Sequence, residues 1–358
     1  MDPTEQYLRE RLGDGLKISE SLKPYTTMKV GGPADFFYVA KTIDELVPAV
    51  TAAWERNLAY FIFSGGSNVL ISDYGFPGLV IKNETNNLVF LGEKSQVIAD
   101  SGTPLGYFIS QCTSRGLSGL EWASGIPGTV GGAVYGNMAA WKNETIKLVK
   151  AATVLVPPEW KGRSKPVRRS GFADERLGRP ARLPRETWGN DVAPPRILTV
   201  KPSWFQAHYR TTKLKEMAAK GETRIPVILT VRFQMTRRRQ DEVIKSLQYY
   251  QKYRSERQPV GLMTMGSTFR NPGGFSTDEA MQENRQAAGW YLDHLNNGSV
   301  KGLNVGGAKV SDKHANFLIN DGTATARDVR KLIETMQDKV REHHNIELQE
   351  EIEYVGRW

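Results

Sequence analysis

Apolar residues recur along this chain with two different periods, and the alternation between them predicts a mixed α+β protein. Thr42 and Glu45 have the spacing of a capping box, and Leu46, Val47, Val50 and Trp54 follow on one face, which predicts a helix over 42–57. Leu105, Phe108, Ile109 and Cys112 repeat that spacing directly after Pro104, a residue suited to a first helical turn. A further helix is expected over 240–254, and a last long one from near Thr325 through Val329, Leu332, Ile333, Met336 and Val340. Val227, Leu229, Val231 and Phe233 instead alternate with more polar neighbours, the period of a half-buried strand. The other apolar segments are short and are separated by glycine clusters at Gly31-Gly32, Gly65-Gly66, Gly125 to Gly132 and Gly306-Gly307. No repeat of fixed period is visible.

At 358 residues the chain has room for two or three domains and a substantial core. Its 39% apolar and 24% charged content is that of a globular protein, and no run approaches the length needed to span a bilayer. The N-terminal stretch MDPTEQYLRERLGDGL is charged and lacks the apolar core of an export signal. A single cysteine, Cys112, excludes an internal disulfide and thiolate metal clusters, and it fits a reducing cytoplasm. On the apolar face of its helix, Cys112 is expected to be core rather than nucleophile.

The net charge is +9, and residues 157–196 hold ten Lys or Arg against five Asp or Glu, together with seven prolines. That composition predicts an irregular, solvated insertion, expected to be a passive loop rather than a lid or partner surface. The remainder is only mildly basic, which argues against nucleic acid as a partner. The insertion and the break at Thr236-Arg237-Arg238-Arg239-Gln240 are the natural boundaries. They suggest an N-terminal α+β region to about 235 and a smaller C-terminal α+β domain over 236–358.

Two of the glycine clusters are candidates for holding an anion. Ser64-Gly65-Gly66-Ser67-Asn68 follows the apolar stretch from Tyr60 to Phe63, and Ser124-Gly125-Ile126-Pro127-Gly128-Thr129-Val130-Gly131-Gly132 is richer still. Glycine lets backbone N–H groups converge closely on a pyrophosphate, and Ser67 and Asn68 add side-chain donors. Neither cluster has the GxGxxG spacing of a Rossmann domain, and the GxxxxGK[ST] phosphate loop is absent. A dinucleotide held here therefore requires a different fold.

The stretches FSGGSNVLISDYGFPGLVIKN (63–83), GLEWASGIPGTVGGAVYGN (119–137), GSTFRNP (266–272) and KGLNVGGAKVSDKHANFLIN (301–320) resemble, in order, the signatures of the UDP-N-acetylenolpyruvoylglucosamine reductase family. The first two alone would suggest only the wider vanillyl-alcohol-oxidase type of FAD domain, whereas the last two are more specific to the reductase. The resemblance covers most of the chain outside residues 1–20, which match no motif, and the basic insertion. It implies a PCMH-type FAD-binding region over 21–235, non-covalent FAD, NADPH as hydride donor, and a C-terminal domain that closes on the UDP-sugar. The implied reaction reduces the enolpyruvyl ether of UDP-N-acetylglucosamine to UDP-N-acetylmuramate, a step in peptidoglycan precursor synthesis. Hydride enters at C3, and an acid of the protein must protonate the enolate-like centre at C2.

By motif position the resemblance implies roles for particular residues. Ser267 in GSTFRNP matches the proton donor, and Asn271 in the same loop a substrate contact. Tyr209 and Arg210 match a Tyr-Arg pair whose guanidinium grips the substrate carboxylate in a fork. Glu351, in LQEEIEYVG, matches the active-site glutamate. Gly65, Gly66, Ser67, Asn68, Gly125, Ile126, Gly128 and Gly132 are the expected FAD contacts. Arg254, Arg257 and Lys309 are weaker candidates for the UDP phosphates. None of the five histidines lies in the N-terminal glycine clusters, so a covalent flavin is not expected, and none has metal-site spacing.

The chain departs from the family after Asn137, where a tyrosine between glycines is usual and this sequence reads Met138-Ala139-Ala140-Trp141-Lys142. Trp141 keeps a flat aromatic face without the phenol hydroxyl, and loss of the glycines stiffens the loop. Two rival readings account for less of the sequence. A sugar or hydroxy-acid oxidase of the same broad fold keeps the glycine clusters but has no need of Ser267, Arg210 and Glu351 together. A binder of RNA or another anionic partner uses the basic insertion and leaves the glycine clusters unexplained.

Overall fold

The computed structural model describes residues 2–161, 194–272 and 287–358. The first lobe is built on a four-stranded sheet in the order Lys17–Ser21, Pro33–Ala40, Phe76–Asn83, Tyr60–Phe63. The first two strands pair antiparallel and the others parallel. The helix expected over 42–57 forms as Ile43–Glu55, with both halves of the Thr42/Glu45 capping box in place. Its buried Leu46, Val50 and Trp54 share a core with Leu79 and Ile81 of the sheet. Residues 1–20 are part of this lobe. The helix Pro3–Leu12 places Leu8 and Leu12 in the same core, and Lys17–Ser21 forms the sheet edge.

The second lobe is a five-stranded antiparallel sheet in the order Arg196–Val200, Val149–Val156, Val227–Gln234, Gln96–Asp100, Leu88–Leu91. The strand expected from the alternation of Val227 to Phe233 lies at its centre and is buried on both faces where it begins. Ile228 is therefore enclosed along with Val227 and Leu229, and these residues contribute to two different cores. The helix Leu105–Thr113 begins after Pro104, which is its N-cap, and buries Leu105, Phe108, Ile109 and Cys112. Burial pushes the Cys112 thiol up to about 12, as befits a core residue and not a nucleophile. Val156 pairs with Arg196, so the basic insertion leaves from the tip of a β-hairpin. Residues 162–193 of that insertion lie outside the described residues.

Asp100 ends one strand of this sheet at 7% exposure. Burial pushes its carboxyl up to about 6, and a hydrogen bond from the Asn87 backbone offsets only part of that effect. A carboxyl raised above its unfolded value of 3.8 favours the fold while protonated, so its contribution is present below about pH 4 and is lost as pH rises through about 6. Asp100→Asn is therefore expected to raise stability at pH 8 by about 2 kcal/mol and to leave it nearly unchanged at pH 4, as measured by denaturant unfolding at both values.

The helix Gln240–Arg257, which the sequence assigns to the C-terminal domain, packs instead on the second lobe. Its Leu247 and Tyr250 rest on the core around Phe108 and Trp122. The C-terminal part proper holds the long helix Ala326–His344, the short helix Ala288–Asp293 and a three-stranded antiparallel sheet, Asn304–Val305, Ala308–Val310 and Leu318–Asn320. Thr325 caps the long helix as its pattern predicts. Several bonds fasten this part to the first lobe. The Asp73 carboxylate accepts from the N–H groups of Ala326 and Arg327 (2.9 and 3.0 Å). Asn320 Nδ2 donates to the Met28 carbonyl at 2.8 Å. The last strand, Glu353–Val355, pairs in parallel with Val69–Ile71. Among the described residues, no helix is long and apolar enough to cross a membrane.

Candidate active site

A cleft of about 670 Å³ lies between the second lobe, the first glycine cluster and the C-terminal part. One wall is made by the two glycine clusters. The chain leaves the strand Tyr60–Phe63, turns through Ser64 to Asn68, and enters the strand Val69–Ile71. Gly66 takes φ +58°, and a Cβ there would stand 2.6 Å from the Tyr25 carbonyl oxygen, so only glycine fits the turn. The second cluster packs against this turn, with Ser67 Oγ donating to the Pro127 carbonyl (3.3 Å) and Gly65 against Gly128. Ser67, Asn68, Gly125, Ile126, Gly128 and Gly132 line the cleft, and Gly65 and Gly66, just before them in the chain, are not part of that lining.

The two clusters differ in what they offer a ligand. In the second, the N–H groups of Ile126, Val130 and Gly131 already bond the carbonyls of Ala123, Thr103 and Ser101. The Thr129 hydroxyl accepts from Gly132 N–H at 3.5 Å. In the first, the N–H groups of Gly65, Gly66, Ser67 and Asn68 make no hydrogen bond among the described residues. Such a row of free donors fits the pyrophosphate of FAD. The Asn68 side chain serves another purpose, since Nδ2 donates to the Glu351 carbonyl at 3.1 Å.

The opposite wall brings together the residues singled out for chemistry. Loop 264–271 runs like a strand between two neighbours. Ser267 bridges Phe317, Thr268 N–H donates to the Asn316 carbonyl (2.9 Å), and Glu351 N–H donates to the Thr268 carbonyl (2.8 Å). Asn316 locks the loop through both ends of its amide, accepting from Phe269 N–H and donating to the Phe269 carbonyl (both 2.9 Å). Ser267 lines the cleft. Tyr209 and Arg210 form the corner of a tight turn closed by His208 and Thr211, with Arg210 at φ +56°. Backbone strain of that kind costs on the order of 1–3 kcal/mol and persists only where the surroundings enforce it. Here Asn137, fully buried, donates from Nδ2 to the His208 carbonyl (2.8 Å) and to Glu144 (2.9 Å). The Thr212 hydroxyl donates to the Tyr135 carbonyl at 2.6 Å.

So held, Arg210 places Nη1 2.9 Å from Glu351 Oε1, with the two side chains 22% and 11% exposed. The Arg210 Nε is buried without a partner. The guanidinium expected to fork onto a substrate carboxylate therefore has one arm on Glu351. Burial raises the Tyr209 phenol, with the Glu351 charge adding to it, while Arg210 and the Asn271 backbone N–H oppose the shift by hydrogen-bonding the oxygen. Asn271, expected to touch substrate, lines the cleft, and its Oδ1 accepts from Ala288 N–H at 3.0 Å.

The phosphate candidates fare differently. Arg254 lines the cleft, but its Nε and Nη2 hold the Ser124 and Trp122 carbonyls (2.8 and 2.9 Å), so it braces the second glycine cluster. Burial lowers its guanidinium to about 10, and the nearby Arg210 charge contributes. Lys309 pairs with Asp312 at 2.6 Å and does not line the cleft, and Arg257 lies over the Tyr253 ring, 3.9 Å from its centroid. His314, given no role by the sequence reading, lines the C-terminal wall. Its Nδ1 accepts from Asn316 N–H (3.2 Å) and burial lowers its basicity, which leaves a neutral ring with Nε2–H free to donate.

The departure after Asn137 is a two-residue hairpin turn between Ala139–Ala140 and Asn143–Glu144. Its corner residues, Trp141 and Lys142, have φ +55° and +60°, the left-handed pair usually filled by Asn-Gly. Trp141 lines the cleft and packs edge-on to Tyr253, with ring centroids 4.5 Å apart. Lys142→Gly is expected to relieve the turn by about 1 kcal/mol, seen as a thermal midpoint about 2 °C higher.

An FAD-type cradle facing a separate substrate wall defines an FAD-dependent oxidoreductase with its own substrate domain, and residues 34–158 match the FAD binding domain family. Residues 258–355 match the C-terminal domain of UDP-N-acetylenolpyruvoylglucosamine reductase. Two curated relatives of that name, from Caldanaerobacter subterraneus subsp. tengcongensis and Anoxybacillus flavithermus, are 31% and 32% identical. They match over 98% and 99% of this chain and 97% and 98% of their own length. The crystal structure of UDP-N-acetylenolpyruvylglucosamine reductase from Thermus caldophilus superposes with a TM-score of 0.67 at 26% identity, covering 95% of this chain and 98% of that one. The chain belongs to the UDP-N-acetylenolpyruvoylglucosamine reductase family.

Proposed function

We propose that this protein reduces the enolpyruvyl ether of UDP-N-acetylglucosamine to UDP-N-acetylmuramate in the cytoplasm, with Ser267, Arg210 and Glu351 as its working side chains. The observation that carries this reading is the junction of all three in one cleft. Arg210 pairs with Glu351 at 2.9 Å, and the Glu351 backbone is bonded to the residue after Ser267 at 2.8 Å.

Gly65 to Asn68 would hold FAD, which would supply the hydride chemistry linking NADPH to C3 of the enolpyruvyl group. As negative charge develops over C2 and the carboxylate, Arg210 stabilises it with the donors that Glu351 leaves free. Ser267 Oγ–H gives its proton to C2, forming the C–H bond of the lactyl ether, and the resulting alkoxide is reloaded from solvent through the polar wall. A serine hydroxyl is a weak acid, yet a proximate one suffices against a strongly basic enolate. The Glu351 carboxylate keeps the guanidinium fixed beside Ser267. The lone, buried Cys112 suits the reducing compartment in which this reaction takes place.

The test is product analysis of protein loaded with FAD and supplied with NADPH and the enolpyruvyl sugar. The proposal requires one sugar, heavier by two hydrogen atoms, for each NADPH consumed. NADPH consumption matched only by oxygen uptake, with the sugar unchanged, would assign the site to an oxidase.

A further inference from the structure

Lys215 is a charge in the wrong place by every local rule. It lies in the first turn of the short helix Lys213–Ala219, where the helix dipole disfavours a cation. It is also only 9% exposed, although lysine is rarely buried unless it is paired. Its neighbours account for it. Nζ is 3.0 Å from Glu353 Oε1 and donates to the Glu351 carbonyl at 3.4 Å. That carbonyl also accepts from Asn68 Nδ2 (3.1 Å), and Glu353 N–H donates to the Asn68 carbonyl (3.0 Å). The helix itself is tied down at its N-cap by the bond from Thr212 to Tyr135. Residue 351 is thus gripped from both sides of the cleft, by Lys215 and Asn68 at its carbonyl and by Thr268 at its N–H.

We propose that Lys215 is a positioning residue for the reduction: its ammonium fixes the Glu351 backbone, and with it the Glu351–Arg210 pair, against the Ser267 loop. This inference rests on the roles proposed above for Ser267, Arg210 and Glu351. The charged and titratable groups around Glu351 are Arg210 and Tyr209 on the turn, Lys215 on the helix and Glu353 at the start of the last strand. Lys215 joins the helix to Glu353 at the start of the last strand and to the Glu351 carbonyl just before it. Losing it frees the carboxylate to drift, and a shift of about 1 Å at such a site costs on the order of 10²-fold in rate.

The experiment compares the two half-reactions by stopped-flow in Lys215→Met, Lys215→Arg and the double variant Lys215→Met/Glu353→Gln, which leaves no unpaired carboxylate at 353. In Lys215→Met and the double variant, flavin reduction by NADPH stays within about threefold of the parent, while reoxidation by the enolpyruvyl sugar slows by about 10²-fold. The solvent deuterium isotope effect on reoxidation rises, because proton delivery becomes the slow step. Lys215→Arg recovers most of the rate. A double variant with parent thermal stability, parent reoxidation rate and parent isotope effect overturns the inference and leaves Lys215 a structural ion pair. A double variant that slows both half-reactions equally overturns it as well. Ser267→Ala, run alongside, separates the two levels: equal loss in its half-reactions refutes the underlying proton-donor role, whereas a selective loss there with an unaffected double variant refutes Lys215 alone.

Discussion

Ser267→Ala leaves reduction of the bound flavin by NADPH within a few-fold of the parent and slows reoxidation by the enolpyruvyl sugar by about 10²–10⁴-fold, the usual worth of a positioned acid. The asymmetry follows from where Ser267 sits. It belongs to the C-terminal wall, where it bridges Phe317 and its neighbour Thr268 bonds the backbone of Asn316 and Glu351, whereas the donors proposed for FAD are those of Gly65 to Asn68. Removing one hydroxyl alters neither the cradle nor the Arg210–Glu351 pair. Rapid-reaction traces of each half-reaction check this, and the binding of the sugar, followed by flavin spectral perturbation, should be little changed. Equal slowing of both halves would mean that Ser267 supports the structure instead of supplying a proton.

The largest expected loss of stability comes from a glycine far from the chemistry. Gly75 takes φ +77°, and a Cβ there would overlap the Pro33 carbonyl oxygen, which is backbone and cannot rotate away. A Cβ on Gly356 would likewise overlap the Gly75 carbonyl oxygen, so the end of the chain, the strand Pro33–Ala40 and the turn after Ile71 cross at one crowded point. Gly75→Ala therefore adds left-handed strain to a backbone collision and is expected to destabilise by about 3–5 kcal/mol, with loss of bound FAD on mild heating. Gly92→Ala is the control. Its Cβ meets nothing within 4 Å and its φ is ordinary, so a thermal midpoint close to the parent's is expected. Two parent-like midpoints would show that the crossing relaxes at little cost.

These glycines also mark the limit of what the sequence can tell. Four clusters stand out in it, and two of them build the cleft wall. Gly31-Gly32 and Gly306-Gly307 instead make room for backbone: a Cβ on Gly32 would overlap the Asp73 carbonyl, and one on Gly307 would overlap Ala324 N. Dipeptide composition is the same in both uses, because the demand comes from whichever segment packs opposite. The helices were legible because periodicity and capping are local, as the Thr42 and Thr325 boxes illustrate. Their packing partners are not: the sequence alone groups the helix Gln240–Arg257 with the C-terminal domain and does not show which way Arg254 faces. Its side chain points back onto the second glycine cluster, a direction fixed only by how the helix docks. Asn137, Asn316 and Lys215 leave no signal in the sequence for a related reason. Each acts by bonding backbone atoms 47 to 136 residues away, and no spacing rule reaches that far. The motif resemblance named Ser267, Arg210 and Glu351, but their being joined through Thr268 and Asn68 is a property of the fold.

The central claim is that one cleft passes reducing equivalents from NADPH to the enolpyruvyl sugar. It is tested most directly by an anaerobic absorbance trace of the FAD-loaded protein, with NADPH added first and the sugar second. The account predicts bleaching of the flavin band on the first addition and its full return on the second. Bleaching that persists after the sugar is added would contradict it.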